Sequence, residues 1–375
     1  MSKQKRLPNN DSHTIYYLMD VKKTTQWSED WELNDALNSS TNGSLFSSQE
    51  VSNNSKGGAE SLPGKAGFVI IMRCLVVAFG VIGFVMNGFV LCAVLSKKLK
   101  KNTSHTFLKN QIIMDTLSSL LLIVVYAFKL AAVDYYYEGP SGYVVCILLN
   151  SDVLVFTVQV GSIASLVLIS AERYFKIVLP VLHKRFYRDW MTSVAIAFAW
   201  MNGILMNIVI PLTTIVVDGE CLIWVSWVTP EACTMYVVLM VIWQFFIPLL
   251  LFIWFYGSIL FVIRRRNRVT YGGNPNNENN SARRSQMNIV ITMFTVSLSF
   301  VVSWSPNQLS SLLNIMKVTE YDFIVYSSTM LFVFLNTCLN PLIYASKHEL
   351  VRKNLRRMFL NKETTNTTQL VESNN

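Results

Sequence analysis

The chain has 375 residues, of which 52% are hydrophobic and only 15% charged, and its mean hydropathy is +0.37. Soluble chains spend about a quarter of their residues on Asp, Glu, Lys and Arg, so a water-facing globular protein is excluded. The net charge of +9 does not point to nucleic acid either, because the basic residues stand in short clusters beside apolar runs, where membrane topology accounts for them.

Residues 1–66 are polar and rich in Ser and Asn, with no short apolar core of a cleavable signal, and read as an extracellular disordered tail. The first membrane span then serves as its own signal anchor. Four sequons in this tail, at Asn10, Asn38, Asn42 and Asn53, are glycosylation candidates. Those at Asn102, Asn279 and Asn366 fall on the opposite side of the membrane.

A crossing of roughly 30 Å of hydrocarbon takes about 20 apolar residues. Residues 67–346 hold seven candidate spans, at 68–95, 107–133, 143–177, 190–217, 234–263, 287–316 and 323–346. The expected fold is an all-α membrane protein, a seven-transmembrane helix bundle. The last four spans carry no Asp, Glu, Lys or Arg; the first carries Arg73, the second Lys109, Asp115 and Lys129, and the third Asp152, Glu172 and Arg173. Loops after spans one, three and five are basic (Lys97, Lys98, Lys100 and Lys101; Lys184, Arg185 and Arg188; Arg264, Arg265, Arg266 and Arg268). The opposite loops are acidic, with Asp134, Glu138, Asp218, Glu220, Glu231, Glu320 and Asp322. The basic loops face the cytoplasm, which places the N-terminus outside and the C-terminus inside.

Polar residues within spans are costly in lipid and default to functional candidates. They come here in a fixed order: Asn87 in the first span, Asp115 in the second, Glu172-Arg173-Tyr174 at the end of the third, and Trp200 in the fourth. Pro248 and Tyr256 follow in the fifth, Trp304 and Pro306 in the sixth (SWSP), and Asn340-Pro341 with Tyr344 in the seventh (NPLIY). This succession resembles the rhodopsin-like (class A) G-protein-coupled receptors over residues 68 to about 360, with a peptide-receptor-like character.

The resemblance implies several sites. Asp115, Ser162, Asn336 and Asn340, with Asn87 and Trp304 close by, correspond to a sodium-binding polar network; a dry polar network is the alternative. Sodium, with Asp115 and Ser162 as its first ligands, is the only cofactor implied, and hard oxygen donors suit it. Glu172, Arg173 and Tyr174 correspond to the G-protein coupling motif, in which the arginine pairs with the preceding acid at rest and swings towards Tyr256 and the G protein on activation. Gln286 stands where many members carry an acid that locks this arginine, which implies some basal activity. Pro248, Ile163 and Phe300 match the trio that repacks during activation. Pro306, Pro341 and Tyr344 mark hinges, for which the loss of a backbone hydrogen bond at proline is the physical basis. Ser303 replaces the usual Cys before Trp304.

Ligand-pocket candidates are Asp152, Val155, Gln159, Trp304 and Phe334. Phe334 stands where an opsin needs its Schiff-base lysine, and Val155 where an amine receptor needs an Asp; Asp152, one turn outward, remains able to meet a cation at the pocket rim. The acidic outer loops and a second outer loop able to form a hairpin (DGECLIWVSWV) favour a peptide ligand, with a lipid or other small molecule as the alternative. Among the cysteines, the resemblance implies a disulfide from Cys146 to Cys221, with Cys233 as the competing partner. Twenty-seven residues separate Cys146 from Arg173, about two more than the family's spacing.

Residues 347–360 place Leu350, Val351, Leu355, Met358 and Phe359 at helical spacing between basic residues, as in an amphipathic helix on the inner membrane surface. Residues 361–375 form a cytoplasmic tail with Thr364, Thr365, Thr367, Thr368 and Ser373 as kinase candidates. The implied partners are a heterotrimeric G protein, an extracellular ligand, an arrestin, a receptor kinase and the lipid membrane, with the plasma membrane as location. Enzymatic function is not expected: Gly139-Pro140-Ser141-Gly142 mimics the GxSG of rhomboid proteases, but His13, His105, His183 and His348 all lie outside the apolar cores. A channel or carrier is the rival reading, since Asp115 alone could mark an ion path.

Overall fold

The structure, a computed structural model, describes residues 63–95, 103–133, 135–269, 278–319, 322–349 and 351–358. The four N-terminal sequons Asn10, Asn38, Asn42 and Asn53, the lysines from Lys97 to Lys101, Leu350, Phe359 and the C-terminal Thr and Ser candidates lie outside the described residues. So does the side chain of Gln286.

Among the described residues, seven helices are long and apolar enough to cross a membrane: Gly67–Leu95, Thr103–Ala131, Gly139–Val178, Trp190–Thr213, Glu231–Arg266, Met287–Ile315 and Phe323–Lys347. The third is central, packing on the second, fourth, fifth and sixth, while the first packs on the second and seventh. Hydrocarbon gives little drive for one apolar helix to prefer another over lipid, so small residues and shared polar groups decide the packing. At Gly203 a Cβ would stand 2.1 Å from the Thr157 carbonyl oxygen, and at Gly161 one would stand 3.1 Å from the carbonyl oxygen of Ala199. These two glycines bring the third and fourth helices together backbone to backbone. Trp200 fastens the contact by donating to Asn110 Oδ1 at 3.1 Å, and Asn110 donates to Ser165 at 3.2 Å, so spans two, three and four share one polar chain.

The structure departs from the expected spans at two places. Span four ends as a helix at Thr213, and the β-branched run that continues it becomes strand β1 (Ile215–Val217), paired antiparallel with β2 (Glu220–Leu222). Hydropathy does not separate helix from strand in a short apolar run; the Asp218-Gly219 turn does, since both residues have positive φ, as a two-residue hairpin loop needs. Among the described residues the all-α bundle therefore carries one small hairpin, at the end that bears Cys146. Tyr137 holds it by donating its backbone N–H to Gly219 O at 2.8 Å.

The second departure is inside span three. The helix Gly139–Val145 widens into a π-turn at Cys146–Asn150, breaks at Ser151, and restarts as Val153–Val178 with Asp152 in the left-handed region at φ 57°. A widened turn followed by a break takes up extra residues without displacing either end, and this is where the long Cys146 to Arg173 spacing is absorbed. Cys146 is thereby joined to Cys221 of β2, with Cα atoms 5.6 Å apart, and Cys233 is left as a free thiol. A second π-turn, Ile242–Phe246, precedes the buried Pro248 in span five.

After Lys347 the chain turns at His348, and residues 351–358 are helical. Val351 is fully buried, Leu355 packs against the core, and Asn354 donates to Ala93 O at 2.8 Å, while Arg352, Lys353, Arg356 and Arg357 are exposed. Its apolar stripe is seated on the bundle beside Ala93, near the end of the first span. Because the Gly203 approach is backbone to backbone, Gly203→Val is expected to lower the thermal midpoint of the purified protein by the equivalent of about 3 kcal/mol, the upper range for overpacking; differential scanning fluorimetry against Gly88→Val, where a Cβ meets nothing within 4 Å, checks it.

Candidate functional site

Asp115 is 4% exposed at mid-span, where an unsatisfied carboxylate costs about 2.5 to 3.5 kcal/mol on the mildest insertion scale. Three other helix positions answer it. Ser162 donates to Asp115 Oδ1 at 2.9 Å, Gln111 donates to the same oxygen at 3.2 Å, and Asn340 donates to Oδ2 at 3.1 Å. The cluster therefore ties span two to spans three and seven. Beside it lies a small polar cavity of about 20 Å³, lined by Asp115, Ser162, Asn336, Asn340, Gln111 and Gln159 and roofed by Trp304 and Phe300. Four amide oxygens, of Gln111, Gln159, Asn336 and Asn340, are buried with no hydrogen-bond partner.

Asn87 belongs to the next layer. Its amide donates to Gly83 O at 2.9 Å, Thr337 O at 3.1 Å and Ser119 Oγ at 3.4 Å, and Ser119 donates to Asp115 O at 2.7 Å. Gln111 was not expected at this site from sequence; one turn before Asp115 on the same face, its i to i+4 spacing was the available signal. Gln159 was expected in the outer pocket and instead lines the cavity beneath Trp304, because the helical phase of the restarted third span turns it towards Asp115.

A buried aromatic column runs from this cavity towards the inner face. Trp304 contacts Phe300 at 5.6 Å between ring centroids, Phe300 contacts Phe245 at 6.3 Å and Phe252 at 6.1 Å, and Phe252 contacts Tyr256 at 6.3 Å. Ile163 joins the same cluster. At its foot the Tyr256 hydroxyl bonds Ser170 at 2.9 Å and Ser297 at 3.2 Å, linking spans three, five and six. Tyr344 is fully buried nearby with its hydroxyl unpartnered.

Below the column, Glu172 and Arg173 are 4% and 6% exposed. Glu172 Oε1 accepts from Ser104 at 2.9 Å and from Lys176 at 2.7 Å. Its other oxygen lies 3.2 Å from Arg173 Nε, close enough for an ion pair but with neither atom in hydrogen-bond geometry. Arg173 is thus held mainly by charge, which leaves it able to exchange partners. Tyr174 instead packs at a tilt against both Trp254 and Phe255, with ring centroids 5.5 and 5.4 Å away.

Comparison with known proteins agrees with this arrangement. The profile of the 7 transmembrane receptor (rhodopsin family) matches residues 86–344. The chain belongs to that family. The receptor is similar to somatostatin receptor type 4 of Rattus norvegicus, 26% identical over 79% of this chain and 74% of the relative. It is also similar to melatonin receptor type 1A of Mus musculus, 24% identical over 78% of this chain and 79% of the relative. It is a multi-pass membrane receptor for an extracellular ligand that acts through heterotrimeric G proteins, and not an enzyme. The carrier reading is set aside.

At the end of the bundle that carries the disulfide, Lys129 of span two reaches Asp152 at 2.7 Å, the side chains being 12% and 18% exposed. Arg73 donates to the Lys129 carbonyl at 2.9 Å, and the ammonium stands 5.0 Å over the Tyr126 ring. The cation that Asp152 was expected to meet therefore comes from the chain itself. Val155 and Phe334 are also enclosed, at 0% and 1% exposure, with Phe334 edge-on to Tyr126 at 5.5 Å. They form a floor under the ion pair, not an open wall, because the broken third helix leans its start onto span two.

Removing one member of a largely buried ion pair strands the other charge. Lys129→Ala and Asp152→Ala are each expected to cost about 3 kcal/mol, the lower range for such pairs since both side chains keep some solvent, and the exchanged pair Lys129→Asp with Asp152→Lys is expected to recover most of it in thermal denaturation. At the inner end, His348 is 4% exposed and its Nδ1 has no partner; burial first, then the charges of His105 and Arg173, push its pKa down to about 4. A depressed histidine keeps its neutral, stabilising form above the ordinary value near 6.5, and stability drains as pH falls from there towards 4. His348→Leu is expected to flatten the fall in thermal midpoint between pH 7 and pH 5 that the unsubstituted receptor shows.

Proposed function

We propose that the receptor exposes its N-terminus and the Cys146–Cys221 disulfide to the outside, binds a peptide there, and catalyses nucleotide exchange on a G protein at its inner face. The observation that carries this is the unbroken path from Trp304 through Phe300 and Phe252 to Tyr256, ending beside an Arg173 held without hydrogen-bond geometry to Glu172. A ligand that favours an outward swing of span six about Pro306 repacks the Pro248, Ile163 and Phe300 level, breaks the Tyr256 to Ser297 contact, and frees Arg173 for the partner. Pro341 gives span seven a matching hinge next to Tyr344. Such a ligand needs to prefer the open state by about 5.5 kcal/mol for a near-complete switch.

Support for a peptide comes from the acidic outer loops and from the internal neutralisation of Asp152, whose carboxylate is already paired and so is not offered to an amine. A plasma-membrane location, glycosylation at Asn10, Asn38, Asn42 and Asn53, and binding of arrestin after phosphorylation of the C-terminal tail by a receptor kinase complete the reading.

The residues around Asp115 also fit a sodium ion. Asp115 and Ser162 supply a carboxylate and a hydroxyl, and the four unpartnered amide oxygens of Gln111, Gln159, Asn336 and Asn340 are the hard donors such an ion takes. Bound there, the cation neutralises the buried carboxylate. The chain's own part is to hold spans two, three and seven together through Asp115, which favours the resting packing.

Receptor in lipid discs, mixed with a panel of G-protein families, is expected to speed nucleotide release from at least one, and Arg173→Ala to reduce that rate at least tenfold with the protein still folded. No acceleration with basal or agonist-bound receptor would overturn the coupling. Replacing choline by sodium at constant ionic strength is expected to lower basal exchange, and Asp115→Ala to abolish the difference; retention of full sodium sensitivity in a folded Asp115→Ala receptor would remove the site.

A further inference from the structure

The inner halves of spans five and six keep their backbones apart and meet chiefly through Tyr256, which contacts Ser297 and Phe294. Between them runs a groove of about 420 Å³, open to the lipid, whose walls include Ile253, Gly257 and Leu260 on one side and Ile291, Phe294 and Leu298 on the other. Its volume falls within the range of ligand pockets, about 300 to 1,000 Å³. Along span five it extends from Leu249 to Ile263, which at 1.5 Å per residue is roughly 21 Å. That covers the depth of one leaflet, half of a hydrocarbon core of about 30 Å.

The lining has almost no polar surface to offer. Its two hydroxyls, of Tyr256 and Ser297, are already bonded to each other, and Tyr256 also to Ser170. A molecule lying within the groove finds no hydrogen-bond handle there, so its buried part is hydrocarbon. The mouth is different. Arg264 and Arg265 follow directly on Ile263, are exposed, and make no ion pair among the described residues. Arginines at this depth stand level with phosphate headgroups, where they attract anionic lipid and match phosphate by paired hydrogen bonds.

We propose that this groove binds one acyl chain of an anionic phospholipid, with its headgroup on Arg264 and Arg265. The chain lies against Phe294, which meets Tyr256 edge-on at 5.3 Å, and so braces the Tyr256 to Ser297 link between the two helices. Gly257 gives the groove its width: a Cβ there meets nothing within 4 Å, so a larger side chain fits without moving the backbone and fills the space the acyl chain needs.

The test uses purified full-length receptor equilibrated with phosphatidylglycerol and phosphatidylcholine of identical chains and then examined by native mass spectrometry. One phosphatidylglycerol per receptor is expected to be retained at least fivefold over phosphatidylcholine. Gly257→Phe and the pair Arg264→Gln with Arg265→Gln are each expected to cut that retention at least fivefold. Phosphatidylglycerol with a diazirine in its acyl chain is expected to label the unsubstituted receptor on residues 249–263 and 287–301, a readout that needs no variant to fold. Equal retention of the two lipids, retention unaffected by Gly257→Phe, preferential retention of a sterol, or labelling confined to other helices would each overturn the proposal. None of these readouts depends on coupling to a G protein.

Discussion

A carboxylate buried in a medium without water is the constraint around which this receptor is built. Hydrocarbon supplies no hydrogen bonds, so Asp115 must be answered by side chains from other helices, and the answers come from Ser162 in span three and Asn340 in span seven, with Gln111 assisting from its own helix. Apolar contact alone does not tell one lipid-facing helix which neighbour to choose. The polar cluster does, and it fixes the height at which three spans cross. Asn87 extends the same logic to span one through Ser119 and Thr337.

The remainder of the bundle hangs on that crossing point. Above it, Trp304 and Phe300 roof the polar cavity; below it, an aromatic column leads to Tyr256 and then to the Glu172 and Arg173 pair. The lower part leaves several of its groups without close partners. Tyr344 has an unpartnered hydroxyl, Arg173 lacks a geometrically good hydrogen bond to Glu172, and spans five and six are separated by a groove. Buried polar groups left unsatisfied cost free energy, and where several share one end of a helix bundle an alternative packing that satisfies them lies close in energy. That is the physical content of a switch.

The outer end follows a different principle. Its shape is set covalently and by backbone turns: Cys146 to Cys221, the Asp218-Gly219 hairpin, and the break at Ser151 and Asp152. The break tilts the start of span three so that Asp152 meets Lys129. A carboxylate that its sequence position offers to a ligand is instead used to hold two helices.

Length and hydropathy by themselves determined the number of spans, their order and the character of the fold, because a helix in hydrocarbon has to satisfy its own backbone and therefore writes its extent into about 20 consecutive residues. The identities and order of Asn87, Asp115, Arg173, Pro248, Trp304, Pro306 and Pro341 also sufficed for the receptor family, since intramembrane polar residues and prolines are too costly to occur without a use. Which oxygens face one another was decided only by the tertiary structure. Gln111 and Gln159 join the Asp115 cavity through helical phase, which is set by packing; the end of span four became a strand because the Asp218-Gly219 turn folds Glu220–Leu222 back onto it, with Cys221 opposite Val216; and Lys129 meets Asp152 where the third helix breaks. Hydropathy sums along the chain, whereas these contacts depend on where two separated segments meet.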